Sequence, residues 1–102
     1  MLDLQDKDKQ MICELAQRVF TSKIEILAYG SRVNGDNHDA SDLDLVVRTK
    51  NLNRLEPMEL SNFKEKLQKS NIPIFVQVMD WAIIPEHFRD NINRKNVVLF
   101  SN

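Results

Sequence analysis

Four acids crowd into nine residues at Asp36, Asp39, Asp42 and Asp44, with no Lys or Arg among them. Like charges this close repel, and a fold must offset them with solvent or a cation. Asp36 and Asp39, in the polar run SRVNGDNHDAS, read as a solvated acidic loop. Asp42 and Asp44 read differently. They open the alternating segment DLDLVVR at 42–48, where positions i and i+2 of a strand point the same way, with Cα atoms ~7 Å apart. Two carboxylates converging from one face suit a hard, oxygen-seeking cation such as Mg2+. An Asp-x-Asp pair alone is a weak signal, because acids at strand edges are common.

Residues upstream sharpen that signal. Gly30-Ser31 closes an apolar strand, IEILAY at 24–29. A glycine there lets backbone approach a ligand closely. The residues after it present N–H groups at a helix start, a cradle for phosphate. Ser31 adds a hydroxyl and Arg32 a countercharge. In isolation Gly-Ser is an ordinary turn. A strand, Gly-Ser, a spacer of about ten residues and Asp-x-Asp on the next strand form a more specific ensemble, a phosphate site beside a metal site. Asp80, ending the strand IFVQVMD at 74–80, is a candidate third carboxylate. An acid in that place is also a common turn starter.

The elements that must position these residues follow from periodicity. Residues 4–20 predict an amphipathic helix, with Met11, Ile12, Leu15, Val19 and Phe20 on one stripe. Residues 31–41 predict a loop, opened by one helical turn at 31–34. Pro57 starts a helix running to about Ser70, with Leu60, Phe63 and Leu67 buried. Pro85 opens a last helix to about Asn93, and VVLF at 97–100 is a short strand or a docked tail. The expected fold class is α/β (α+β), one domain over 1–102. Its small mixed sheet carries helices on one face and leaves the other for work. Ile74, Val76, Val78 and Asp80 alternate onto one side of their strand, which is taken as that working face; left uncovered, they would form an apolar interface patch.

Composition bounds the rest. The chain has 102 residues, 42% hydrophobic and 28% charged, an ordinary globular balance. Its 14 Lys and Arg against 15 Asp and Glu provide no basic excess, which argues against polynucleotide as the main partner. One cysteine, Cys13, excludes an internal disulfide and a multi-cysteine metal site, and reads as a small buried hydrophobe. No stretch approaches the ~20 apolar residues of a membrane helix. The polar, acidic start is unlike a secretory signal, so a cytoplasmic protein is expected. His38 and His87 read as surface, Tyr29 as core, and Trp81 as either core rim or partner surface.

The run AYGSRVNGD, followed by SDLDLVV, resembles the minimal nucleotidyltransferase (MNT) family, within the superfamily that includes DNA polymerase beta. The likeness spans most of the chain and extends to the closing PEHFRDNINRKNVVLF. The resemblance implies a nucleotidyltransferase fold with Asp42, Asp44 and Asp80 as catalytic and metal-binding acids, and Gly30, Ser31 and Arg32 on the phosphates. It implies Mg2+, as two ions ~4 Å apart, with ATP as substrate. It also implies a partner, a small helical protein of the HEPN class, with this chain as the antitoxin that transfers AMP to a partner tyrosine. Three alternatives stand beside it: an antitoxin that neutralises by complex formation alone, a domain that senses nucleotide without turnover, and a structural domain with chance acids.

Overall fold

The computed structural model describes residues 2–35 and 41–102. The elements run α1 (Asp6–Val19), β1 (Ile24–Tyr29), α2 (Ser31–Asn34), β2 (Leu43–Thr49), α3 (Pro57–Gln68), β3 (Val76–Asp80), a 3-10 turn (Trp81–Ile83), α4 (Glu86–Arg94) and β4 (Val97–Ser101). The expected elements are all present, and VVLF resolves as a strand. α1 begins with Asp6 and Asp8 in its first turn and ends with Arg18 in its last, charges that complement the helix dipole. Pro57 occupies the first turn of α3, where its missing N–H costs nothing.

The four strands form one mixed sheet in the order β3-β2-β1-β4. β1 pairs antiparallel with β2 and with β4, while β2 and β3 run parallel. The parallel pairing starts at Leu43↔Val76, so β3 begins two residues later than the alternation at 74–80 suggests.

Alternation divides the strand residues between two faces. On one, Ile24, Ile26, Ala28, Leu43, Leu45, Val47 and Val78 pack against Ile12, Leu15 and Ala16 of α1 and Phe63 and Leu67 of α3. Phe20 and Phe63 meet with ring centroids 5.1 Å apart, closing the seam between these helices. The opposite face carries a smaller cluster of Leu27, Tyr29 and Val46 against Trp81, Ile84 and Ile92.

The expected fold class holds, with one correction to its layering. α1 and α3 share a face, but the 3-10 turn after β3 carries the chain across, and α4 packs on the other side. Trp81 is buried there, with the Arg48 guanidinium 4.9 Å and the Arg89 guanidinium 5.5 Å from its ring centroid. A second correction concerns Ile74, Val76 and Val78. They lie on the side that α3 covers, with Val78 buried in the main core and Ile74 and Val76 partly buried against it, so they are not the working face. The residues of β3 on the far face are Gln77 and Met79, one position out of phase.

Candidate active site

The unfilled part of the second face is a cleft of about 360 Å³ between the sheet and α4. Tyr29, Gly30 and Asp44 form its strand side, and Asn34 closes one end. Gln77 and Met79 enter from β3, and Phe88, Asn91 and Lys95 from the α4 side. A larger cavity, about 540 Å³, opens where α3 meets the free edge of β3; Ile72, Phe75 and Val76 line it, and it holds no carboxylate.

Gly30 and Asp44 fit each other closely. Gly30 has φ +85°, a conformation that side chains rarely adopt, and a Cβ there would lie 2.5 Å from Asp44 Oδ2. Only glycine leaves room for that carboxylate. The register of β1 with β2 sets Asp44 beside Tyr29. Burial, and then the neighbouring Asp42 charge, push the Asp44 carboxyl above its ordinary pKa. No ion pair among the described residues engages Asp42 or Asp44. A half-buried carboxylate held against a second one, without a protein cation, is a donor set for a divalent ion. Those two acids fit one such ion. Among the described residues no group of three His, Cys, Asp or Glu side chains is placed to hold a metal.

Tyr29 is core, as expected, and it also floors the cleft. Its ring meets Phe88 edge to face at 5.7 Å, and its hydroxyl donates to Met79 Sδ at 3.5 Å. Burial first, then the Asp44 charge, push its pKa up to about 12. The phenol therefore stays neutral and serves as wall rather than nucleophile.

Of the expected site residues, Gly30 and Asp44 line this cleft; Ser31 and the exposed Asp42 adjoin them in sequence without lining it, and Asp80 and Arg32 are engaged elsewhere. Asp80 pairs with Val47, on the face of the main core. It is 3% exposed, and its carboxylate accepts from Leu55 N–H and Ala82 N–H at 3.0 Å each. This is the turn-starter role: Asp80 caps the 3-10 turn and ties down the segment before α3. The parity that groups it with Val76 and Val78 already carried the signal. Arg32 is buried too. Its guanidinium donates to Ser41 O at 3.0 Å and Asp3 O at 3.1 Å, and lies 3.5 Å from the Asp3 carboxylate. It braces the start of the chain against the segment leading into β2.

Ser31 opens α2 next to Gly30 and is half-buried. Asp36, Asp39 and His38 lie outside the described residues. His87 is exposed, as expected. Cys13 is half-buried, its thiol raised in pKa by burial, and donates to Leu99 O at 3.4 Å. No described helix is long and apolar enough to cross a membrane. Sequence reasoning missed Asn34, Gln77, Asn91 and Lys95. Gln77 was legible as the alternate position of its strand; Asn91 and Lys95 were not, because the face that α4 takes is set by tertiary packing.

Comparison with known proteins agrees with this fold. Residues 10–102 match the family described as "Polymerase beta, Nucleotidyltransferase". A Haemophilus influenzae protein named as a probable protein adenylyltransferase MntA is 30% identical over 101 residues, covering 96% of this chain and 83% of its own length. Among solved structures, a toxin–antitoxin complex with AMP-PNP superposes with a TM-score of 0.75 at 18% identity, over 92% of this chain and 73% of that one. A complex of a tri-AMPylated Shewanella oneidensis HEPN toxin with an MNT antitoxin superposes with a TM-score of 0.72 at 15% identity, over 97% of this chain and 74% of that one. The cleft, the glycine that makes room for its aspartate and the match across nearly the whole chain converge: this protein belongs to the polymerase beta nucleotidyltransferase family.

Proposed function

We propose that this chain is an adenylyltransferase that moves AMP from ATP to a hydroxyl of a helical partner protein and so silences a toxin. The observation that carries the reading is Asp44, seated against Gly30 in an open cleft, with the Asp42 charge beside it and no described ion pair on either acid. The relative named as a protein adenylyltransferase and the fold neighbour whose toxin is AMPylated supply the donor and the class of partner. A tyrosine acceptor, a partner of the HEPN class and a cytoplasmic setting are further parts of the proposal, as the resemblance implies.

In the proposed transfer, the acceptor hydroxyl oxygen attacks the α-phosphorus of ATP. The bond to the bridging oxygen breaks, pyrophosphate leaves, and the acceptor proton passes to solvent. Asp42 and Asp44 would hold Mg2+, which supplies charge neutralisation and orientation of the triphosphate. Gly30 and Ser31 would hold phosphate oxygens at the start of α2. Lys95, across the cleft, would add a positive charge. Asp80 and Arg32 act through the fold. The Asp80 carboxylate is already satisfied, and Arg32 is committed to backbone carbonyls.

Intact mass measurement tests this. The chain is isolated with the protein that accompanies it in its native host, then incubated with MgATP. The partner gains AMP-sized increments with the native chain and none with Asp44→Asn. A stable complex with no mass change would instead support neutralisation by complex formation alone.

A further inference from the structure

The parallel β2–β3 ladder sets Gln77 opposite Asp44. Alternation turns both side chains away from α1 and α3, and both line the cleft. The nearest acid on β3, Asp80, lies three residues on and on the opposite face, with both carboxylate oxygens taken by backbone N–H groups. To reach the cleft it would have to pass through the sheet and leave two buried donors without partners. Two divalent cations ~4 Å apart bring four positive charges into one site. Beside the charges of the triphosphate, the protein's own contribution is two negative ones, on Asp42 and Asp44. The β3 position beside Asp44, from which a third protein carboxylate would enter the cleft, is held by a neutral amide, which offers a carbonyl oxygen but no charge.

Resting on the transferase reading above, we infer that Gln77 makes this a one-cation site. The chain holds a single divalent ion, on Asp42 and Asp44 together with the nucleotide. The side chain of β3 beside Asp44 is what sets the count.

The test counts ions rather than turnover. Full-length chain is titrated with Mn2+ in the presence of a non-hydrolysable ATP analogue, and free Mn2+ is read by electron paramagnetic resonance. The native chain binds one Mn2+. Gln77→Asp or Gln77→Glu binds two, and Gln77→Asn still binds one. Gln77 is exposed on an edge strand, so these variants keep the fold, which circular dichroism checks. Two ions on the native chain, or no second ion in either acidic variant, overturns the inference. No nucleotide-dependent Mn2+ on the native chain would overturn the transferase reading itself, a result distinct from both.

Discussion

Asp44 and Asp80 stand on neighbouring strands, and the sheet turns them to opposite faces. Asp80 points into the layer sealed by α1 and α3, is 3% exposed, and accepts two backbone N–H groups. Asp44 points into the cleft, half-buried, beside another carboxylate and engaged by no described cation. A buried acid whose lone pairs are used by the backbone is structural. A part-buried acid whose charge is left over is chemical, because the fold tolerates that charge only if something brought to the site offsets it. The same division runs through the two faces. One is sealed by α1 and α3 over a continuous core, and its largest gap among the described residues, at the β3 edge, is lined by no carboxylate. The other is half covered by α4 and leaves room for a ligand.

The contrast can be broken most sharply at Asp44. Asp44→Asn should lower AMP transfer by on the order of 10²–10³-fold or more, as expected when a group that organises transition-state charge is lost. Folding should be intact by circular dichroism. Asp80→Ala should do the reverse. It leaves Leu55 N–H and Ala82 N–H unpaired and should cost about 2–4 kcal/mol of stability in urea unfolding.

Gly30→Ala tests the contact between glycine and aspartate. The new Cβ meets Asp44 Oδ2 at 2.5 Å, at a φ of +85°. The cost should be about 1–3 kcal/mol, with transfer impaired because the carboxylate must move. Lys95→Met should raise KM for ATP about 10-fold with kcat little changed, the pattern of a lost binding charge.

The smallest effect is the pH dependence that Asp44 brings to stability. The raised pKa of Asp44 means that the folded state holds its proton more tightly than the unfolded chain does. That contribution to stability is present below the ordinary carboxylate range and is lost as pH rises through the raised value. At neutral pH the ionised group therefore works against folding. Asp44→Asn should leave Tm unchanged or raise it by up to about 4 °C, and Mg2+ should stabilise the native chain more than this variant.

Much of this contrast was legible in the sequence. The strand IEILAY, the Gly-Ser closing it, the short helical turn at 31–34 and the Asp-x-Asp pair all stand where local pattern puts them, because alternation and turn chemistry decide such elements. The role of Asp80 depended on which face of the sheet was sealed. Ile74, Val76 and Val78 could belong to either side until α3 packed on them. α4 has the same difficulty in reverse. Its apolar stripe shows that it packs, but the crossing made by residues 81–83 decides where. Asn91 and Lys95 enter the cleft only through that crossing. The role of Arg32 was hidden for a different reason. A guanidinium beside Gly-Ser suits phosphate, yet here its partners are carbonyls of Ser41 and Asp3, brought near by the fold.

The account rests on one claim, that Asp44 serves the chemistry and Asp80 the fold. Its most direct test places Asp44→Asn and Asp80→Asn side by side. Each is incubated with MgATP and the partner protein, below its own unfolding midpoint, with AMP on the partner read by intact mass. Asp44→Asn is predicted to leave the partner unmodified, and Asp80→Asn to modify it at close to the native rate from a less stable fold. A folded Asp80→Asn as inactive as Asp44→Asn, or an Asp44→Asn that still modifies the partner, would contradict it.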